Sequence, residues 1–93
     1  MKVRVYATLR QIVGMKEVEV EGEAGDTVRD VLHRLIAAHP GLEGHILDDE
    51  GHLRRTVNVF VQGRSIKFRE GLDTVLQESD ELSIFPPVAG GQG

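Results

Sequence analysis

A mixed β-sheet crossed on one face by a single main helix, an α+β fold, is what the 93-residue sequence predicts. Three observations carry this reading. Apolar residues alternate with period two near both ends of the chain, the mark of half-buried strands. Between residues 27 and 39 the apolar period changes to that of a helix. The length admits one domain and no more.

The first segment, Lys2 to Leu9, sets Val3, Val5 and Ala7 on one side and Lys2, Arg4 and Tyr6 on the other. This predicts a strand. Arg10 to Gly14 reads as a turn ending at a glycine suited to positive φ. Met15 to Glu21 alternates again, with Val18 and Val20 against Glu17, Glu19 and Glu21, and is expected to close a hairpin. The three glutamates share one exposed face, a charged edge that discourages strand-to-strand aggregation.

Val28, Val31, Leu32, Leu35 and Ile36 then fall on one helical face. Thr27 is a good N-cap, with Asp30 three residues on in the place of a capping-box glutamate. His39-Pro40-Gly41 ends the helix, because proline disfavours the helical region for the residue before it. Residues 41 to 55 are irregular and polar, with a loop tip at Asp48-Asp49-Glu50-Gly51. Val57, Val59 and Val61 alternate with Asn58 and Phe60 in a third strand, and Gln62-Gly63 is a turn. Ser65 to Phe68 reads as a short fourth strand, Leu72 to Leu76 as one helical turn, and Glu81 to Phe85 as the last strand. Strand, strand, helix, strand, strand, strand is the order of the β-grasp, the architecture of ubiquitin.

Composition narrows the function. Eleven Lys and Arg stand against 15 Asp and Glu, a net charge of −4, which argues against a nucleic-acid partner. No apolar run approaches the roughly 18 residues of a membrane span. The alternating N-terminus also lacks the apolar block of a signal peptide. A cytoplasmic location without membrane contact is expected. With no cysteine there is no disulfide, thiolate metal site or cysteine nucleophile. His33, His39, His45 and His52 include no i, i+4 pair and read as surface histidines, so no metal site is expected. Asp48-Asp49-Glu50 lacks the alternating ligand spacing of a calcium loop. A core this small leaves no space for a large cofactor. The chain is expected to be a carrier or interaction module with no bound cofactor, rather than an enzyme.

The C-terminus is the most informative segment. The twelve residues from Leu82 onward carry no charged side chain, against 28% charged residues overall. Residues 1–85 form the expected domain, and 86–93 a flexible tail. Pro86 and Pro87 stiffen its root and forbid further strand pairing. Beyond them Val88, Ala89, Gly90 and Gly91 shrink steadily. Extended, Pro86 to Gly91 spans roughly 20 Å at ~3.3 Å per residue. Such a tail suits a narrow channel in another protein. Gly90-Gly91-Gln92 also spells the tripeptide of peptidyl-tRNA-hydrolysing release factors, but the acidic charge counts against that reading.

Phe85-Pro86-Pro87-Val88-Ala89-Gly90-Gly91 after a β-grasp order resembles the MoaD/ThiS family of ubiquitin-like sulfur carriers, which includes CysO-like proteins. Gly25-Asp26-Thr27-Val28, Val57-Asn58-Val59-Phe60-Val61 and Asp80-Glu81-Leu82-Ser83-Ile84 extend the likeness from Val3 to Gly91. The resemblance implies that Gly91 is the site of covalent attachment. A ubiquitin-activating-enzyme-like adenylyltransferase would join its carboxylate to AMP from ATP, and sulfide or a persulfide donor would displace AMP to leave a thiocarboxylate. A sulfur-accepting synthase would then consume the sulfur, in molybdopterin, cysteine or thiolated-RNA synthesis. Conjugation to lysines as a protein modifier, and service as the small subunit of a molybdopterin synthase, stay open. Gln92-Gly93 departs from the family pattern. Cutting between Gly91 and Gln92, by a metalloprotease for example, or an added extension, is favoured over direct use of Gly93.

Only four aromatics occur: Tyr6, Phe60, Phe68 and Phe85. If the strand valines pack beneath the helix, Tyr6, Phe60 and Phe85 fall on the opposite sheet face, near the tail root. These three are the expected partner-binding residues.

Overall fold

The computed structural model describes residues 1–87. Five strands form one sheet: β1 (Lys2–Val5), β2 (Glu17–Glu19), β3 (Asn58–Val61), β4 (Arg64–Ser65) and β5 (Leu82–Phe85), in spatial order β2-β1-β5-β3-β4. β1 runs parallel to β5, with Val3 opposite Leu82 and Val5 opposite Ile84. The remaining neighbours are antiparallel. The helices are α1 (Ala7–Val13) and α2 (Val28–Ala38).

Alternation along the strands decides which face is covered. Val3, Val5, Val18, Val59, Val61, Leu82 and Ile84 are buried in one cluster with Val28, Val31, Leu32 and Leu35 of α2. Each fully buried Val, Leu or Ile contributes about 1.5–3 kcal/mol, so covering this face is a large stabilising contribution. α2 begins at the capping box expected from Thr27 and Asp30. The Asp30 backbone N–H donates to Thr27 Oγ1 at 3.3 Å, and the Thr27 N–H donates to Asp30 Oδ2 at 2.9 Å. It ends at His39, after which Pro40–Leu42 makes a 3-10 turn and buries Leu42.

Four local expectations change. The first strand stops at Val5, and the segment read as strand end and turn is α1. Leu9 and Val13 stand four apart, and the alternation from Val3 to Leu9 concealed this helical spacing. Leu9 is buried, and Gly14 closes the helix at φ 87°, donating its N–H to the Arg10 carbonyl at 2.7 Å. β2 spans only Glu17–Glu19, because its partner β1 is itself only four residues long. Residues 65–68 give the end of β4 and then a 3-10 turn, Ile66–Phe68, rather than a continuous strand.

The helical turn expected at Leu72 to Leu76 shifts to a 3-10 turn at Gly71–Asp73. Residues 74–76 are extended because they bond the start of α2. Val28 N–H donates to the Thr74 carbonyl at 3.0 Å, and Leu76 N–H to the Asp26 carbonyl at 2.7 Å. The irregular stretch after α2 adds apolar mass as well, burying Ile46 and Leu47. Its tip is held by the Asp48 carboxylate, which accepts the N–H groups of Glu50 and His52. These two bonds, the His52 one foremost, hold the Asp48 carboxyl below its ordinary value.

Candidate functional site: an open aromatic face at the tail root

The sheet face turned away from α2 carries no layer among the described residues, and its side chains follow the period of two. Tyr6 lies just past β1, Phe85 ends β5, and Phe60 sits in β3. Phe85 is the hub. Its ring stacks on Tyr6 with centroids 4.3 Å apart and planes 12° apart. Phe60 meets it edge-on at 5.5 Å and 85°. Both are favourable aromatic geometries, since ring faces are electron-rich and edges electron-poor.

The register explains the meeting. Phe85 stands opposite Asn58, and Phe60 is two residues along the same strand, on the same face. Parallel pairing of Val5 with Ile84 brings the next residues of each strand, Tyr6 and Phe85, side by side. The cluster is half open: Phe85 is 36% exposed, while Tyr6 and Phe60 are intermediate.

A cation joins the row. Arg10, in the first turns of α1, places its guanidinium 5.3 Å from the Tyr6 ring centroid. Its Nε–H donates to the Val5 carbonyl at 3.2 Å, so the stack is pinned from the helix side. The sequence pattern makes Arg10 to Gly14 a turn and so does not offer Arg10 as a site residue. The i, i+4 pair Leu9 and Val13 was the available signal.

Around this centre the face is charged. Arg4 Nε–H donates to Glu17 Oε2 at 2.8 Å, and the carboxylate raises the Arg4 pKa through that bond and its charge. Glu19 takes the N-terminal ammonium at 2.6 Å, which lowers its pKa. Two of the three glutamates expected on β2 are thus ion-paired, on a strand that is indeed an edge. Among the described residues, no three of His, Asp and Glu converge as a metal site. No described helix is long and apolar enough to cross a membrane.

Pro86 is buried and Pro87 exposed, so the chain leaves the sheet directly beside Phe85. The expected attachment residue Gly91, the tail residues Val88, Ala89 and Gly90, and the expected cut before Gln92 lie outside the described residues. The fourth aromatic, Phe68, is 89% exposed. A strand over 65–68 would have put it on the same side as Ile66. The 3-10 turn instead buries Ile66 and turns Phe68 outward.

The sequence matches the ThiS family over residues 3–91. It is 40% identical over 91 residues to small archaeal modifier protein 3 of Haloferax volcanii, covering 98% of both chains. It is 35% identical over 80 residues to the sulfur carrier protein CysO of Mycobacterium tuberculosis, covering 84% of this chain and 83% of that one. The crystal structure of SAMP1 from Haloferax volcanii superposes with a TM-score of 0.87 at 35% identity, covering 98% of each chain. The fold therefore has a close counterpart in a small archaeal modifier protein, and the sequence resembles both that group and a sulfur carrier protein. The chain belongs to the ThiS family.

Proposed function

We propose that the protein is a ubiquitin-like sulfur carrier that works through the carboxylate of Gly91. A free carboxylate is a poor acyl donor, so activation must come first. The partner adenylyltransferase transfers AMP from ATP to a Gly91 carboxylate oxygen, releasing pyrophosphate. Hydrosulfide then attacks the carbonyl carbon, the bond to AMP breaks, and a thiocarboxylate remains with release of one proton. Glycine at this position leaves no Cβ to crowd the attack. The chain supplies the acyl group and the docking surface, and ATP is bound and used by the partner.

The observation that carries the reading is the stacked aromatic centre of Tyr6, Phe85 and Phe60 beside a proline root leading to Gly90-Gly91. A half-open aromatic cluster with a rigid exit is a suitable anchor for an enzyme that must hold a narrow tail. Proximity in such a transfer is sensitive to displacements near ~1 Å. A Gly91 still joined to Gln92 has an amide where a carboxylate is needed. The test compares the full-length and Gly91-ending proteins with one adenylyltransferase, ATP and sulfide. Intact mass should show one oxygen replaced by sulfur, at Gly91 and only in the shorter form. Efficient thiocarboxylation of uncut Gly93 would overturn the assignment.

The likeness to a small archaeal modifier protein favours a second reading, conjugation to lysines. It shares the adenylation step and differs in the acyl acceptor. Lysines of cellular proteins carrying residues 82–91 as an isopeptide-linked remnant, left by a glutamate-specific protease that cuts after Glu81, would select it.

A further inference from the structure

We infer that the groove between Phe60 and Phe68 is a second docking site, which takes an acidic segment of a partner protein with an apolar side chain between its carboxylates. The groove is about 650 Å³ and runs along β3 and β4, lined by Asn58, Phe60, Arg64, Lys67, Phe68 and Arg69 among others. Its lining holds three cations and no carboxylate, in a chain whose net charge is −4. Among the described residues neither Arg64 nor Arg69 forms an ion pair. Lys67 is positioned by neutral groups only, donating from Nζ to the Arg55 carbonyl at 3.1 Å and to Asn58 Oδ1 at 3.3 Å. Its charge is therefore left for a ligand.

Phe68 supplies the apolar part. It is the most exposed large apolar side chain among the described residues, at 89%, and it is not loose. The 3-10 turn that presents it is anchored below by buried Ile66. Ser65 Oγ accepts the Lys67 N–H at 3.2 Å, and the Arg69 N–H donates to the Ile66 carbonyl at 2.9 Å. A pre-positioned aromatic loses little freedom on binding. Two phenylalanines with cations at the rim offer an apolar centre that a partner would desolvate within a charged surround, the anatomy of a protein interface.

Three cations are few beside the ~6–10 phosphate contacts of a nucleic-acid binder. The acidic remainder of the chain would also repel a long polyanion. A short acidic protein segment fits both facts. The groove is continuous with the tail root, because Asn58 at its start pairs with Phe85 across the sheet. The inference rests on the carrier reading only in taking the partner to be one that also grips the tail.

The probe is a blocked peptide, Asp-Glu-Leu-Glu-Asp, titrated into the full chain and followed by the backbone amide resonances. Shifts should be confined to residues 58–69. They should weaken about tenfold with Phe68→Ser, whose exposed position leaves the fold intact. The double change Lys67→Glu with Arg69→Glu should abolish them, as should salt near ~0.5 M. Equal binding of Asp-Glu-Gly-Glu-Asp, shifts elsewhere, or no shifts would overturn the inference. So would a uridine decamer that moves the same amides at lower concentration. Thiocarboxylation of Gly91 in a chain that ignores the peptide removes the groove and keeps the carrier. Peptide binding by a chain never activated at Gly91 does the reverse.

Discussion

At the scale of single residues, the two ends of Phe60 give it two measurable roles. Its edge contact with Phe85 is worth about 0.5–1.5 kcal/mol to the fold. In the proposed docking role the same ring would contribute about 2 kcal/mol or more. Phe60→Ala should therefore cost more free energy of binding to the adenylyltransferase than free energy of unfolding in urea. Global unfolding by this change would place Phe60 in the core and remove the docking role.

Asp26 makes a different residue-level case. Its carboxylate takes Arg34 Nη1–H at 2.6 Å and the Glu23 N–H at 3.0 Å, and these bonds, Arg34 first, lower its pKa against the opposing effect of burial. A carboxylate depressed in the folded state stabilises above its unfolded value, near ~3.9, and that stability is lost as pH falls through the folded value. Glu19 and Asp48 act in the same sense. Stability should thus fall as the pH drops below about 4. Asp26→Asn should lower the urea midpoint at pH near ~7 and shrink its acid dependence. An unchanged acid slope in that variant would show that Arg34 and Asp26 do not couple to folding.

At the scale of elements, caps and turns determine where each segment stops. Thr27 accepts one otherwise unpaired N–H of α2, so Thr27→Ala should cost about 1 kcal/mol in chemical denaturation. Gly14 is a cleaner probe of backbone alone. A Cβ there meets nothing within 4 Å, yet φ is 87°, so Gly14→Ala should cost roughly 1 kcal/mol through conformation rather than contact. Because α1 carries Arg10 over Tyr6, the same change should loosen the aromatic stack. Tyr6 ring-proton shifts would report it, and their constancy would separate the helix end from the docking face. Element boundaries were the least legible part of the sequence. Val3, Val5, Ala7 and Leu9 alternate so evenly that pattern alone extends the strand into α1. The length over which β1 and β2 pair, Lys2 to Arg4 against Glu17 to Glu19, is a joint property of the two segments and not of either alone.

At the scale of the molecule, the buried core closes between Val3 and Ile84, and among the described residues only Pro86 is buried beyond it. Removing residues 88–93 should leave the urea midpoint unchanged while ending activation, as measured by denaturation and by intact mass on the same sample. A large loss of stability would mean that the terminus packs on the domain. Charge is arranged at this scale too. The −4 net value argues against polyanion partners, yet the groove beside Phe60 is lined by cations alone among its charged residues. Composition averages over faces and so cannot report such a division.

The sequence by itself determined the sheet-and-helix architecture, the helix cap at Thr27 and the strand face that each of Tyr6, Phe60 and Phe85 occupies. Those depend on period and on short-range hydrogen bonding, which neighbouring residues set among themselves. Tertiary structure alone decided that residues 7–13 coil, that residues 74–76 run extended beside the start of α2, and that Phe68 points outward. The first and third depend on core space for Leu9 and Ile66, which are fully buried, and the second on which distant backbone groups are available to bond. Val28 must find the Thr74 carbonyl, and Leu76 the Asp26 carbonyl, before the segment between them has a shape.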